Sequence, residues 1–267
     1  MDLKLGLLLP IKKDSRNILL SSILKPVEEL PPLPHIFSVD STLHGIEDSR
    51  TFNNLQYGDC VIAQQAHAIL RHEKYEQGIQ ISITDEEVVK EYFRQTGNKD
   101  TGLYMQLAMK EWRNHGIKIG GHSYTIYAFA QTDKFNLSQV KYSIYLLRGI
   151  CFGAMLFESD LEQFRTGEPW HLTSNSGDFV GGHGLYAYTY NDTNRELECM
   201  TWGRRQVLTY DWWLARVQEA YAVVDNRDIW IPDSPVNVEE LNRQLSEITG
   251  DDTEICSISR KIKRWFT

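Results

Sequence analysis

The apolar residues of this chain change their spacing once, from helical in the first half to alternating in the second. Before Gly116 they recur at the three- and four-residue intervals of amphipathic helices, whereas from Tyr124 onward they form short runs typical of strands. A chain whose main helices precede its strands does not build alternating βαβ units, and its pattern favours an α+β fold. We therefore expect a cleft between a helical half and a sheet half.

Three helices are predicted in the first half. The first follows Asp59, a plausible N-cap, and runs to about Arg71, so that Cys60 lies in its first turn. The second follows the capping-box sequence Thr84-Asp85-Glu86-Glu87 and ends at Gly97. The third covers residues 103–114 and stops before a glycine.

The second half is predicted to form an antiparallel sheet. The turn residues Asn191-Asp192-Thr193-Asn194 join two strand-like runs as a hairpin. Short helices are predicted near 138–147 and 210–218. The predicted strands are 124–129, 150–157, 185–190, 196–202 and 221–224.

The acidic composition excludes two classes of partner. With 28 Lys and Arg against 36 Asp and Glu, the net charge is -8, whereas nonspecific binding to nucleic acid or to an anionic membrane needs a basic surface. No apolar run approaches the ~20 residues of a membrane span. We expect a cytoplasmic or virion-associated protein. The four widely spaced cysteines do not suggest a zinc site or a disulfide framework, and no metal or other cofactor is expected.

Prolines divide the chain into three parts. Residues 1–37 form a proline-rich N-terminal arm with an extended connector at Leu30-Pro31-Pro32-Leu33-Pro34. Residues 38–231 form the main domain. Residues 232–267 form a C-terminal helical extension or tail, which ends in a basic, aromatic stretch at 260–266. The arm and the tail are candidate docking elements for a protein assembly partner.

Cys60 and His183 are the candidate reactive pair. A first-turn position exposes a thiol to the helix dipole and to unpaired N–H groups, which lower its pKa and can bind an oxyanion. His183 follows two glycines at the start of a strand, and the hairpin returns Thr201-Trp202-Gly203 to its side. Paired with Cys60, the imidazole would accept the thiol proton. His122, which also follows two glycines, is a competing candidate for the base.

Three segments resemble those of papain-like cysteine peptidases, and more closely a divergent bacterial and phage branch of them. They are Gln56-Tyr57-Gly58-Asp59-Cys60, Gly181-Gly182-His183-Gly184 and Thr201-Trp202-Gly203, which match the cysteine, histidine and Asn-Ser-Trp-Gly regions. The resemblance covers roughly residues 38–230. It implies a papain-like α+β fold, a helical half followed by an antiparallel sheet half, with Cys60 as nucleophile and His183 as general base in the cleft between them.

The same resemblance implies supporting residues. The oxyanion-hole carboxamide would be Asn54 by its distance from the cysteine or Gln56 by its residue type. Trp202 would shield the site. Counting back from Trp202, Met200 replaces the asparagine that orients the histidine, and a thioether is too weak an acceptor to fix an imidazole in the same way. Substitute orienting residues could be Asn175, Asp178 or Glu198.

Three functions are consistent with these residues. The first is a cysteine hydrolase that cleaves a peptide or isopeptide bond of a peptide or protein substrate through a Cys60 thioester. The second is a catalytically inactive papain-like module with a binding or virion-assembly role. The third is transglutaminase-like or cell-wall amidase acyl transfer. The role of the N-terminal arm is left open by the sequence.

Overall fold

The computed structural model describes residues 3–8, 17–46 and 48–248, so the predicted basic stretch at 260–266 lies outside the described residues. A 3-10 turn at Val27–Glu29 precedes the main domain. The helices are α1 (Leu20–Ile23), α2 (Val39–Thr42), α3 (Cys60–Gln77), α4 (Asp85–Thr96), α5 (Met105–His115), α6 (Leu137–Leu147), α7 (Glu158–Thr166), α8 (Tyr210–Arg216), α9 (Asn226–Trp230) and α10 (residues 238–248).

An antiparallel sheet forms the second half, with the strand order β10-β9-β8-β7-β11-β6. Both β1 and β2 pair with β8, β1 also pairs with β3, and β4 and β5 form a separate hairpin. The helical first half and this sheet confirm the predicted α+β class. The strands are β1 (Leu7–Leu8), β2 (Ile36–Ser38), β3 (Leu103–Tyr104), β4 (Ile117–Ile119), β5 (His122–Tyr124), β6 (Ala128–Gln131), β7 (Ile150–Phe157), β8 (Phe179–Asn191), β9 (Glu196–Thr201), β10 (Arg204–Thr209) and β11 (Val217–Val224).

Most predicted elements are present, with shifted ends. The predicted capping box of α4 is confirmed, because the Glu87 N–H donates to the Thr84 side chain and the Glu87 carboxylate accepts from the Thr84 N–H. The hairpin of β8 and β9 is also confirmed. The single predicted strand at 124–129 is wrong, since β5 and β6 are separate there. The sequence analysis missed α7 and β10.

The start of α3 packs directly on β8. A methyl group added at Gly184 would lie 3.3 Å from the carbonyl oxygen of Cys60 and 3.3 Å from the Cα of Val61. Glycine at this position lets the helix backbone approach the strand closely. The contact carries Cys60 to the line where the helical half meets the sheet.

The later part of α3 is fixed by a buried ion-pair network. The Arg71 side chain is fully buried, with Nε 2.8 Å from Asp40 Oδ1, Nη1 2.6 Å from Asp48 Oδ2 and the guanidinium 3.9 Å from the ring centroid of Tyr188. His67 Nδ1 lies 2.7 Å from the same Asp48. Burial raises the pKa of Asp48, but His67 and Arg71 outweigh it and hold that pKa well below its usual range. His67 is therefore a packed histidine.

Residues that precede α2 and residues that follow α9 share a smaller core. Ile18, Leu20 and Ile23 pack with Val236 and Leu241 against one face of the sheet. Among residues 3–8, 17–46 and 48–248, no helix combines the length and the apolar character that crossing a membrane requires.

The substitution Arg71→Met should lower the free energy of unfolding by about 3–5 kcal/mol, because it removes the buried cation that Asp40 and Asp48 share. Urea denaturation measures this change. Arg165→Met is the control: Arg165 and its partner Glu162 are 45% and 67% exposed, and the loss should stay under about 1 kcal/mol. Equal losses in the two variants would contradict the role given to the buried network.

Candidate active site

Cys60 is a free thiol, 1% exposed, at the first residue of α3. The Gly184 N–H donates to Sγ over 3.3 Å, and the N–H groups of Gly6 and Val61 also face the sulfur. Burial raises the pKa of the Cys60 thiol to about 12, although these N–H groups lower it. The expectation of a lowered pKa is therefore wrong for this state, because burial outweighs the helix terminus, and the thiol is neutral.

His183 lies in β8 and directly precedes Gly184, whose N–H contacts the thiol. Its Nε2 is 2.7 Å from Thr201 Oγ1, and its ring stacks on Trp202 with centroids 4.1 Å apart and planes 14° apart. Within the described part of the chain, Nδ1 is buried without a hydrogen-bond partner. Burial lowers the pKa of His183 to about 3, so the ring is neutral. With Nε2–H donated to Thr201, the lone pair of Nδ1 is available for a proton.

Met200 lies on the opposite face of the hairpin from His183. It pairs with Tyr186 across β8 and β9, and side chains alternate along a strand, so positions 186 and 183 of β8 face opposite sides. Thr201, the next residue of β9, reaches the His183 ring instead. The sequence analysis assigned Thr201 to a serine position and missed this contact.

The other orienting candidates bond elsewhere, and His122 lies exposed on β5, away from β8. Tyr188 donates to the Glu198 carboxylate over 2.9 Å. Asn175 bonds within its own loop, where its side chain accepts from the Gly177 N–H. The Asp178 backbone bonds to Glu158.

The two oxyanion candidates lie in different surroundings. Asn54 is buried, and its Nδ2 donates to Asp59 Oδ1 over 3.0 Å and to the Tyr57 carbonyl over 3.3 Å. Gln56 is exposed, and its Nε2 donates to the Tyr57 hydroxyl over 3.1 Å. In this state both side chains are used away from the thiol. The Cys60 N–H, the first of α3, has no acceptor within its helix.

Asp59 sits beside the thiol as a buried acid. It holds the N-cap position of α3, but its side chain makes no capping bond. Within the described residues its Oδ2 is buried without a partner. Burial raises the pKa of Asp59 to about 8, the Asn54 hydrogen bond lowers it, and nearby Asp100 adds to the increase. Near neutral pH this carboxyl therefore holds its proton in part.

The cleft is occupied by the chain's own N-terminal segment, residues 3–8. In β1, Leu7 runs parallel to Leu103 of β3 and antiparallel to Gly182 of β8, so the segment is bonded to both halves. The Leu103 N–H donates to the Gly6 carbonyl over 2.8 Å, and the Trp202 indole N–H donates to the Lys4 carbonyl over 3.2 Å. The segment covers Cys60 and His183.

Glycine at positions 6, 58 and 102 allows residues 3–8 to lie in the cleft. A methyl group on Gly6 would overlap the Gly58 carbonyl group, and one on Gly102 would overlap the Gly6 carbonyl oxygen. Both walls of the cleft are backbone at this point, so neither can move aside as a flexible side chain would. Residue 6 must be glycine for the segment to lie where it does.

The carbonyl group of Gly6 is turned away from the thiol. The group of Gly6 that faces the sulfur is its N–H, whereas its carbonyl is turned toward Leu103. Attack by a thiol requires a carbonyl carbon. Residues 3–8 therefore cover the thiol without presenting the Gly6 carbonyl to it.

Known structures are similar to this chain, although its sequence is not. No protein-family model matches the sequence, and no curated protein matches it. Xylellain, a cysteine protease from Xylella fastidiosa, has a TM-score of 0.67 at 12% identity over 84% of this chain and 97% of that one. Procathepsin B S9 from Trypanosoma congolense has a TM-score of 0.60 at 12% identity, over 84% of this chain and 87% of that one. The Carica candamarcensis cysteine protease CMS1MS2 has a TM-score of 0.54 at 13% identity, over 73% of this chain and 100% of that one.

The chain therefore has the papain-like fold of these cysteine proteases, which confirms the resemblance suggested by the three short segments. At these identities the likeness establishes the fold alone. The chemistry of the cleft is argued from its own residues.

Replacing Asp59 with Asn should make the protein less sensitive to alkaline pH. The folded-state pKa of Asp59 lies above its ordinary value of 3.8, so the folded form binds this proton more tightly and loses stability as pH rises from 3.8 to about 8. Between pH 5 and pH 8, Asp59→Asn should gain roughly 1.4 kcal/mol or more over the wild type, the equivalent of one pKa unit. Urea denaturation at both pH values tests this.

The control for this comparison is Asp211→Asn, which removes a carboxylate that is 71% exposed. Its stability relative to the wild type should be the same at pH 5 and pH 8. A wild type that keeps its full stability to pH 8 relative to Asp59→Asn would refute the assignment.

Proposed function

We propose that this protein is a cysteine hydrolase that cleaves a peptide or isopeptide bond through a thioester on Cys60, with His183 as general base. One observation carries the proposal. An extended peptide, residues 3–8, lies across the thiol with its main chain bonded to β3 on one side and β8 on the other. Main-chain pairing of this kind is a general mode of peptide recognition.

The residues of the cleft would act in sequence once the segment has left. Nδ1 of His183 accepts the Cys60 proton, and the thiolate attacks the carbonyl carbon of the substrate. The developing oxyanion binds the Cys60 N–H. The imidazolium then gives its proton to the departing amine, which leaves an acyl-thioester. His183 next takes a proton from water, the hydroxide attacks the thioester, and the acid is released as Cys60 regains a proton.

Thr201 and Trp202 would position the base. Thr201 Oγ1 accepts from Nε2–H in both protonation states of the ring, which keeps Nδ1 as the nitrogen that exchanges protons. Trp202 covers one face of the ring and excludes water from that side. A hydroxyl acceptor would thus replace the asparagine expected at Met200.

Asn54 is the better placed of the two oxyanion candidates. It is buried and bonded to Asp59, the neighbour of the nucleophile, whereas Gln56 is exposed. To donate to an oxyanion, Asn54 would exchange its 3.3 Å bond to the Tyr57 carbonyl. A side-chain donor of this kind contributes about 2.7–4 kcal/mol to an acyl-transfer transition state.

The closed cleft would be a resting state. Burial keeps both the thiol and the imidazole uncharged. Departure of residues 3–8 would hydrate both groups, which lowers the thiol pKa and raises the imidazole pKa toward those of a reactive ion pair. In the proposed function, residues 3–8 therefore inhibit the enzyme until they leave the cleft.

The variant Gly6→Val should open the cleft, because its side chain overlaps the Gly58 backbone. Iodoacetamide should then alkylate Cys60 at least about tenfold faster than in the wild type, the equivalent of 1.4 kcal/mol less protection. Peptide mapping by mass spectrometry assigns the adduct to Cys60. The same variant should hydrolyse fluorogenic peptides, and adding Cys60→Ala should abolish that turnover.

Lys4→Val is the matched control, since it introduces the same side chain at an exposed position of the same segment. It should leave the alkylation rate of Cys60 close to that of the wild type. Fast alkylation of Gly6→Val without turnover of any peptide would favour the inactive binding module. Turnover that survives Cys60→Ala would reject the thioester.

Thr201→Val in the Gly6→Val background should lower kcat by roughly tenfold or more while KM changes little, because the base loses its fixed orientation. Thr201→Ser keeps the hydroxyl and should retain most of the rate. Steady-state kinetics on one peptide substrate compares the three proteins. If the serine and valine variants lose equal activity, the hydroxyl does not orient His183.

A further inference from the structure

Asp59 and Asn54 form a buried polar pair directly before the nucleophile. The two residues are 0% and 3% exposed, and Asn54 Nδ2 donates to Asp59 Oδ1 over 3.0 Å. Asp59 is also the residue that precedes Cys60, so the pair lies beside the first turn of α3. The Asp59 carboxyl group caps no N–H of that helix and instead accepts from Asn54.

The bond to Asp59 leaves one hydrogen of the Asn54 amide available for exchange. Nδ2 carries two hydrogens, of which one is donated to Asp59 and the other to the Tyr57 carbonyl over a longer 3.3 Å. When the second hydrogen turns to a substrate oxyanion, the first keeps the amide in place. Removal of the Asp59 carboxyl group would free the amide to rotate, and a donor must be fixed beforehand to stabilise an oxyanion well.

The backbone beside the pair is anchored by other residues. The Gly58 N–H donates to Asp100 Oδ1 over 2.9 Å, and the Tyr92 hydroxyl donates to the same oxygen over 2.7 Å. The Gly102 N–H in turn donates to the Tyr92 oxygen over 2.9 Å. These bonds do not involve the Asp59 side chain, so we expect a change of that side chain to act on Asn54 more than on the turn before α3.

The charge of Asp59 bears directly on the chemistry of its neighbour. A thiolate and an oxyanion both place negative charge beside Asp59, so an ionised Asp59 would oppose both. Its Oδ2 is buried without a partner among the described residues, which disfavours an anion at this position. The titratable groups that face it are acidic: Asp85 and Tyr92 of α4, Asp100 after that helix, and Cys60 of α3.

We propose that Asp59 is a positioning residue for the oxyanion donor: its neutral carboxyl group orients Asn54 toward the reacting carbonyl and must keep its proton while Cys60 reacts. This role rests on the proposed function, and Asp59 fills it through Asn54 without touching the substrate. Ionisation of Asp59 would strengthen its own bond to Asn54 and add a negative charge beside the sulfur. The ionised form should therefore be slow.

A double-mutant cycle in the full-length Gly6→Val protein tests the positioning role. With Asn54 present, Asp59→Ala should lower kcat at least about tenfold on a fluorogenic peptide, whereas KM should change less than about threefold. In the Asn54→Ala background the same substitution should change kcat less than about twofold, because no donor is left to orient. Equal losses of kcat in the two backgrounds would show a structural role alone and overturn the proposal.

Asp59→Asn keeps an oxygen acceptor but cannot ionise, so it tests the proton and also serves if Asp59→Ala does not fold. At pH 6 it should retain most of the activity of the Gly6→Val protein. From pH 6 to pH 9 the ratio of its kcat/KM to that of Gly6→Val should rise about tenfold, because a carboxyl group with a pKa of about 8 is about tenfold less protonated at pH 9. A constant ratio would overturn the proposal.

The matched control for the pH profile is Asp211→Asn, which removes a carboxylate that is 71% exposed. Its kcat/KM relative to Gly6→Val should be the same at pH 6 and pH 9. A rise equal to that of Asp59→Asn would mean that the pH dependence does not come from the buried pair, which would also overturn the proposal.

Alkylation of Cys60 by iodoacetamide separates this proposal from the hydrolase itself. Asp59→Asn removes the neighbouring charge, so in the Gly6→Val protein the pH midpoint of alkylation should fall by roughly one pH unit, as followed by mass spectrometry. Turnover that requires Cys60 but shows no coupling between Asp59 and Asn54 would overturn this proposal and leave the hydrolase standing. The shifted midpoint in a protein that hydrolyses no peptide would reject the hydrolase and support the charge link between Asp59 and the thiol.

Discussion

The contact between the first turn of α3 and Gly184 of β8 sets the arrangement of the cleft. It brings a helix terminus against a sheet with only backbone between them, and it places the Cys60 sulfur on the Gly184 N–H. The later part of the same helix is held by the ion pairs of Arg71 with Asp40 and Asp48. Everything that reaches the thiol must enter along the line between helix and strand.

Local patterns were sufficient to predict the elements that carry the pair. A glycine turn before an apolar helix placed Cys60, and a hairpin signal placed His183 and Trp202 together. The partner of the imidazole was not predictable by counting. A strand turns alternate side chains to opposite faces, so a shift of one residue exchanges Met200 for Thr201. That choice depends on the pairing register of β8 and β9, which includes a bulge between Ala187 and Thr189 that no short pattern reveals.

The sequence analysis also did not predict that residues 3–8 occupy the cleft. Gly6 lies far from Gly58 and Gly102 along the chain. A leucine-rich segment has no sequence pattern that predicts its passage between two backbones. Only the folded structure brings the three glycines together.

The closed cleft balances opposing free energies. Main-chain bonds to β3 and β8 and the burial of Leu7, about 1.5–3 kcal/mol for such a side chain, favour the segment. Against it stand three buried polar atoms that have no partner among the described residues, Asp59 Oδ2, His183 Nδ1 and Glu219 Oε1, each costing about 1–3 kcal/mol. Because these costs vanish when water reaches the atoms, they offset part of the free energy that favours the closed cleft.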